Sequence, residues 1–182
     1  MEPDLHYALA KDLFEDIPEA GEDMRARPDG ETPLAYIALL KQSKTPEEAV
    51  TFTAYVLPRR KAVWWGHQCL MNVDHLLSPQ DKHMLQLAEN WVREPEEYLR
   101  YQAMNEAMAA RDTTPGTWIA FAAAWSGGSL NSPDLPRVPP PAFATPRAVN
   151  TAIMGVLAKV DTKHRAATLN AFVDKGVGLA NR

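Results

Sequence analysis

The residue types best suited to chemistry are concentrated in AVWWGHQCL, residues 62–70, which holds two tryptophans, a histidine and the only cysteine of the chain. A cysteine beside a histidine would be a nucleophile with its base. Cys69 and His67 are two positions apart, however, so on a helix their side chains point roughly 200° apart. Without an activating partner, cysteine packs as a small apolar residue. We therefore predict that the stretch belongs to the core and that Trp65 is buried.

A metal site is the second chemistry that this region suggests. His67, Met71 and His75 recur every four residues, which on one continuous helix would align two imidazoles and a thioether. Such donors suit a soft metal ion, and His83 from the next helix could complete the set. The sequence lacks the HExxH and paired CxxC patterns typical of zinc sites. We therefore expect these residues to serve in packing, with no metal and no other cofactor bound.

A serine nucleophile is the third candidate, in WSGGS at residues 125–129. Ser126 lacks the glycine that stands two positions before the serine in a G-x-S-x-G nucleophile elbow. The stretch is more typical of a helix end, where a glycine adopts the left-handed conformation. No phosphate-binding loop or dinucleotide fingerprint is present in the sequence. A small hydrolase or metal-dependent enzyme is therefore the weaker hypothesis, and we expect a protein without catalytic activity.

The basic trio Arg59, Arg60 and Lys61 follows Pro58 at a predicted helix N-terminus, where the helix macrodipole disfavours cations. One interpretation is that these side chains are solvated or paired with acidic residues in the stretches 15–23 or 94–97. The other is that they anchor an acidic partner. We expect charge reversal of the trio to leave stability nearly unchanged or to improve it slightly, since anions suit a helix N-terminus, whereas unfolding would indicate structural ion pairs. The Arg-Arg pair is not a twin-arginine export signal, because tryptophans follow it instead of a removable apolar segment.

Prolines indicate where the helices that position these residues begin. A serine or threonine that caps a helix is often followed by proline in the first turn. This order predicts helix starts at Thr32, Thr45, Ser78, Thr114 and Thr145. An acidic residue stands three positions after Thr45 and Ser78, as in a capping box. Apolar residues recur at helical spacing, and no segment alternates as a strand does. The sequence therefore predicts an all-α fold, a single compact domain over residues 1–182 with about eight or nine helices.

Apolar spacing also predicts which side of each helix faces the core. Leucines recur every four residues from Leu5 to Leu13, which predicts a helix at the N-terminus. Tyr101, Met104 and Met108 form a similar stripe further along the chain. We expect both sets to point inward.

A proline-rich loop interrupts the helices at residues 126–144, SGGSLNSPDLPRVPPPAFA. Pro133, Pro136 and Pro139 are three positions apart, so they would share one edge of a polyproline II strap. A rigid strap packed over the helices is one interpretation. A docking edge for a partner is the other, since long ordered loops often carry function.

Composition limits the class of protein. The 182 residues carry a net charge of −4, which argues against binding to nucleic acid or to anionic membranes. One cysteine and an acidic N-terminus without a signal peptide favour the cytoplasm. The longest apolar run, residues 118–125, is much shorter than the ~20 residues of a membrane-spanning helix and predicts a central buried helix instead.

Four stretches together resemble an uncharacterised proteobacterial family, a domain of unknown function. They are TPEEAVTFTAYVLPRRKAVWWGHQCL, WVREPEEYLR, TPGTWIAFAAAWSGGS and TPRAVNTAIMGVLAKVD. The resemblance implies a small cytoplasmic protein, and some members are encoded near type VI secretion genes. It implies no catalytic residues.

We therefore expect a non-catalytic protein that binds another protein, as an adaptor or co-chaperone for a type VI effector or tip protein. The alternative is an immunity protein that neutralises a cognate toxin. The candidate partner-binding residues are Arg59, Arg60, Lys61, Pro133, Pro136 and Pro139.

Overall fold

A computed structural model of the chain describes residues 4–181, and its helices begin and end largely where the sequence predicts. They are α1 (Asp12–Asp16), α2 (Ala20–Asp23), α3 (Pro33–Lys41), α4 (Glu47–Val56), α5 (Arg59–Met71), α6 (Pro79–Arg93), α7 (Glu97–Ala109), α8 (Pro115–Ala124), α9 (Ala144–Lys159) and α10 (Thr162–Ala180). The all-α class is confirmed, with ten helices instead of eight or nine and no strand in the described part. Residues 1–3 and 182 of the predicted domain lie outside it.

Hydroxyl caps start three of the helices as predicted. The side chains of Thr32 and Thr114 accept hydrogen bonds from backbone N–H groups in the first turns of α3 and α8. Ser78 and Asp81 form a complete capping box at the start of α6. These caps depend only on neighbouring residues, which is why the local sequence predicts them.

The other two predicted caps are wrong, and Glu48 and Thr145 make tertiary contacts instead. α4 begins at Glu47 without a side-chain cap, and the Glu48 carboxylate accepts from the backbone N–H groups of Arg25 and Ala26. Thr145 lies inside the first turn of α9, fully buried, and its hydroxyl donates to the carbonyl oxygen of Ala122 in α8.

Asp81 links the starts of two helices in the core. Its fully buried carboxylate accepts from the backbone N–H and the hydroxyl of Ser78 and, at 2.7 Å, from the N–H of Gly116 in α8. Burial alone would raise the pKa of Asp81, but these hydrogen bonds outweigh burial and lower it. A Cβ on Gly116 would lie 2.5 Å from the Asp81 backbone. Glycine is therefore needed where α8 crosses α6.

The central helix is α8, which contacts α5, α6, α7 and α9. Trp65 of α5 is fully buried, as predicted, and its indole N–H donates to the carbonyl oxygen of Phe172 in α10 at 2.7 Å. A Cβ at Gly176 would meet the Trp65 ring at 3.1 Å. A residue without a side chain thus lets α10 pack closely on this indole.

The predicted helix from Leu5 to Leu13 is wrong over most of its length, since α1 contains only Asp12–Asp16. Backbone N–H groups before α1 bond to distant parts of the chain, those of His6 to Val56 and of Ala10 to Glu31. Because these backbone N–H groups bond to other parts of the chain, they cannot form the hydrogen bonds that a helix over these residues would require.

Candidate partner-binding surface

The predicted core role of AVWWGHQCL is confirmed by its surroundings. Cys69 is fully buried, and burial raises the pKa of its thiol well above the ordinary value. A thiol held neutral is a poor nucleophile. His67 is also buried and stacks on Trp64, with ring centroids 4.8 Å apart. Packing therefore accounts for Cys69 and for the ring of His67, whereas the buried Nδ1 of His67 has no hydrogen-bond partner within the described residues.

The stripe of His67, Met71 and His75 does not exist as one helical face. α5 ends at Met71, and His75 lies in a separate 3₁₀ turn at Asp74–Leu76. Within residues 4–181, no group of three or more His, Cys, Asp or Glu side chains could hold a metal ion. His83 instead contacts Glu106 of α7, with 2.9 Å between ring nitrogen and carboxylate oxygen.

The basic trio contacts the ends of three other helices. The guanidinium of Arg59 donates to the carbonyl oxygen of Ser126, just after α8. Arg60 donates to the carbonyl oxygens of Val92 and Arg93, at the end of α6. Lys61 donates to the carbonyl oxygen of Leu179 near the end of α10 and forms an ion pair with Asp4.

These contacts explain why three cations occupy one helix N-terminus. The carbonyl groups that end a helix lack partners and carry partial negative charge. Each cation thus neutralises the end of a neighbouring helix, which outweighs its repulsion from the start of α5. The acidic stretches 15–23 and 94–97 are not the hydrogen-bond or ion-pair partners of the trio. Its role as an anchor for an acidic partner stays a prediction.

The proline-rich loop, residues 126–144, is folded upon itself. The backbone N–H of Leu130 donates to the carbonyl oxygen of Val138 at 2.8 Å, and a turn joins Ser132 to Leu135. The Ser129 hydroxyl accepts from the N–H groups of Asn131 and Val138. Because the chain reverses here, the predicted prolines do not share one straight polyproline II edge. All three, Pro133, Pro136 and Pro139, are exposed.

A buried arginine of α7 packs against this loop. Arg100 is only 1% exposed and donates to both carboxylate oxygens of Glu97 and to the carbonyl oxygen of Ala124. Gly128 lies at φ 66°, and a Cβ there would sit 2.6 Å from the Arg100 guanidinium. The Tyr101 hydroxyl donates to the carbonyl oxygen of Asn131 in the loop. The surface that α7 and the loop form together is thus fixed by the fold.

A groove with an apolar lining runs between α7 and the loop and has a volume of about 880 Å³. The most exposed large apolar side chains beside it are Tyr98 at 63% and Met108 at 70% on α7, and Leu135 at 55% on the loop. We call this surface the α7–loop face; its members are Tyr98, Tyr101, Gln102, Asn105, Met108, Leu130, Pro133 and Leu135. Exposed apolar side chains gathered around a groove are typical of protein-binding sites.

A family model covers this face and most of the chain. A family of unknown function, DUF6931, matches residues 36–180. The chain belongs to the DUF6931 family. No curated protein and no solved structure matches it. All helices from α4 to α10 lie within the matched region of this DUF6931 protein, as does the proline-rich loop. No helix in the described residues is long and apolar enough to cross a membrane.

Sequence reasoning missed the α7 half of the face. Met108 is exposed although it was predicted to point inward with Met104, which is buried. The side of α7 that faces the core contains Arg100, Ala103, Met104 and Ala107. Charged residues are rarely buried without a partner, so an arginine at this position makes the buried side of α7 look like an exposed one in the sequence. The Glu97–Arg100 spacing, one helical turn, was the only local signal of that partner.

Proposed function

We propose that this DUF6931 protein is a non-catalytic accessory protein that binds another protein through the α7–loop face. The observation that carries the proposal is the cluster of exposed apolar side chains along one groove, with Met108 and Tyr98 the two most exposed. Leaving these groups in water is unfavourable, and a partner that covers them recovers that free energy.

The order of the loop supports the same proposal. Binding surfaces that must first become ordered lose affinity to the entropy of ordering. Here the Tyr101 hydroxyl holds the loop against α7, Gly128 of the loop packs on Arg100, and the Ser129 hydroxyl bonds the loop to itself. Pro133, which lines the groove, is the predicted partner residue that lies on this face; Pro136 and Pro139 follow it on the exposed loop.

The biological setting that we propose is bacterial type VI secretion, in the cytoplasm, as an adaptor or co-chaperone for an effector or a tip protein. The support is the resemblance of the PRRKAVWW and TPGTWIAFAAAWSGGS stretches to proteins encoded near such genes. An adaptor leaves the activity of a bound toxin intact. If the partner proves to be a toxin whose activity the protein abolishes, it is an immunity protein.

Co-purification with point variants tests the proposal. Met108→Lys removes the most exposed apolar side chain and suits the end of α7, where a cation is favourable. Leu39→Lys is the matched control, because Leu39 is 53% exposed near the end of α3, away from the face. In the source organism, Met108→Lys should lose a partner that wild type and Leu39→Lys retain. Equal recovery by all three would contradict the proposal.

A further inference from the structure

We infer that a small cavity beside Arg59 and Asp16 binds a small zwitterion, a molecule with one ammonium and one carboxylate group such as a free amino acid. This cavity shares no lining residue with the α7–loop face, so the inference does not rest on the proposed function.

Five segments of the chain meet around this cavity, which has a volume of about 140 Å³. They are residues 6–7, the end of α1, the end of α4, the start of α5 and the start of α9. A protein cavity of about 150 Å³ can hold benzene, a molecule of about six non-hydrogen atoms. The cavity therefore has room for a ligand the size of alanine or serine and is too small for a nucleotide.

Opposite charges line the cavity without pairing with each other. Arg59 and Asp16 are both lining residues, and within residues 4–181 neither forms an ion pair. One N–H of Arg59 donates to the carbonyl oxygen of Ser126, and a guanidinium has five such donors. Asp16 accepts from the Tyr7 hydroxyl at 2.8 Å, and a carboxylate can accept several hydrogen bonds. A ligand that carries both charges can therefore place its carboxylate on Arg59 and its ammonium group on Asp16.

Tyr7, which also lines the cavity, responds to both charges. Burial and the hydrogen bond to Asp16 raise the pKa of Tyr7, and the positive charge of Arg59 partly offsets that rise. The phenol is therefore neutral at pH 7, and the negative charge beside it belongs to Asp16. The charge of Arg59 thus acts on the group that Asp16 binds, although no ion pair joins the two side chains.

The end of α4 adds acceptors that favour an ammonium group. Ala54 and Tyr55 line the cavity from the last turn of this helix. Pro58 has no N–H, so the carbonyl oxygen of Ala54, four residues earlier, lacks a helical partner. Carbonyl groups of this kind carry partial negative charge and attract cations. A simple carboxylate would leave these acceptors and Asp16 unused, and a simple amine would leave Arg59 unused. A zwitterion uses both sets of groups.

Small probes that differ in one charge test this specificity. L-Alanine, L-serine and L-valine carry both charges, propionate lacks the ammonium group, and ethylamine lacks the carboxylate. In NMR titrations of isotope-labelled protein, the best of the three amino acids should bind at least about tenfold more tightly than propionate or ethylamine. It should shift the amide signals of Leu57 and Thr145 at the cavity and leave that of Met104 in α7 unchanged. If no amino acid binds, or if propionate or ethylamine binds equally well, the inference is overturned.

Variants show whether the amino acid binds in this cavity. Asp16→Asn should weaken its binding at least about tenfold and reduce the preference over propionate, whereas Arg59→Gln should reduce the preference over ethylamine. The matched controls are Glu15→Gln and Arg60→Gln, since these exposed neighbours carry the same charges and do not line the cavity. Both controls should bind as wild type does. Ala142→Leu fills the cavity from an exposed position without a change of charge, and it should abolish binding. Binding that is unaffected by Asp16→Asn and Ala142→Leu, or weakened equally by the controls, would overturn the inference.

Discussion

Replacing the basic trio with glutamine should destabilise the protein, although the side chains lie at the surface or only half-buried. Arg59, Arg60 and Lys61 donate to carbonyl oxygens at the ends of α8, α6 and α10. A cation at a helix C-terminus is worth typically 0.3–1 kcal/mol, so the trio contributes roughly 1–3 kcal/mol. Relief of repulsion at the start of α5 returns a few tenths of a kcal/mol per residue, roughly 1 kcal/mol for the trio, which leaves a net loss of up to about 2 kcal/mol.

Thermal melting measures this loss directly. For a chain of this length each kcal/mol shifts Tm by roughly 2–4 °C, so the triple glutamine variant should melt up to about 8 °C below wild type. Reversal to glutamate should lower Tm further, because three anions would face three negative helix ends. The difference in Tm between each variant and wild type should become smaller at high salt, which screens partly exposed charges.

A matched triple variant separates position from net charge. Arg25, Arg111 and Lys44 are exposed cations at other positions, and their change to glutamine removes the same charge. The Tm of that variant should be close to the Tm of wild type. If both triple variants melt alike, helix-end neutralisation is not what the trio does, and its position at the start of α5 has no structural explanation.

Three further predictions follow from buried groups. Trp65→Ala should lower the free energy of unfolding by about 3–5 kcal/mol in chemical denaturation, through lost burial and the cavity left behind, and a loss below about 1 kcal/mol would contradict the packing. Asp81 has a lowered pKa in the folded state, so its stabilisation is present above the unfolded pKa of about 3.9 and is lost as pH falls through the folded pKa. Asp81→Asn should therefore have a lower free energy of unfolding than wild type at pH 7, and the difference between the two proteins should become smaller in acid. A difference that does not change with pH would refute this. Cys69 should react with a thiol reagent only after unfolding, and rapid labelling of native protein would contradict its burial.

The helices were predictable wherever their signals are local. Ser78 and Asp81 are three residues apart, so their capping box is visible in the sequence and forms as predicted. Thr145 carries the same Thr-Pro signal, but its hydroxyl is used by Ala122, a contact that only the tertiary fold creates. The same limit applies to the trio. The helix ends that surround it come from residues more than 30 positions away, and their carbonyl groups lead us to predict a loss of stability where the sequence alone predicted almost none.

The α7–loop face was predictable only in its loop half. The proline-rich composition of residues 126–144 marks an exposed segment whatever its partners are. Which side of α7 lies outward depends on Arg100, whose burial is stabilised by Glu97 and by the carbonyl of Ala124. That carbonyl belongs to another helix, so apolar spacing alone assigned Met108 to the wrong side.

Photo-crosslinking at the face tests its role in binding most directly. A benzoylphenylalanine in place of Gln102 would lie in the groove, and the same residue in place of Gln42 would be exposed at the end of α3. In cells of the source organism, we predict that irradiation produces one protein adduct at position 102 and not at position 42. Mass spectrometry should identify the partner protein in that adduct. Adducts at position 42 alone, or equal labelling at both positions, would contradict the assignment of the α7–loop face as the binding surface.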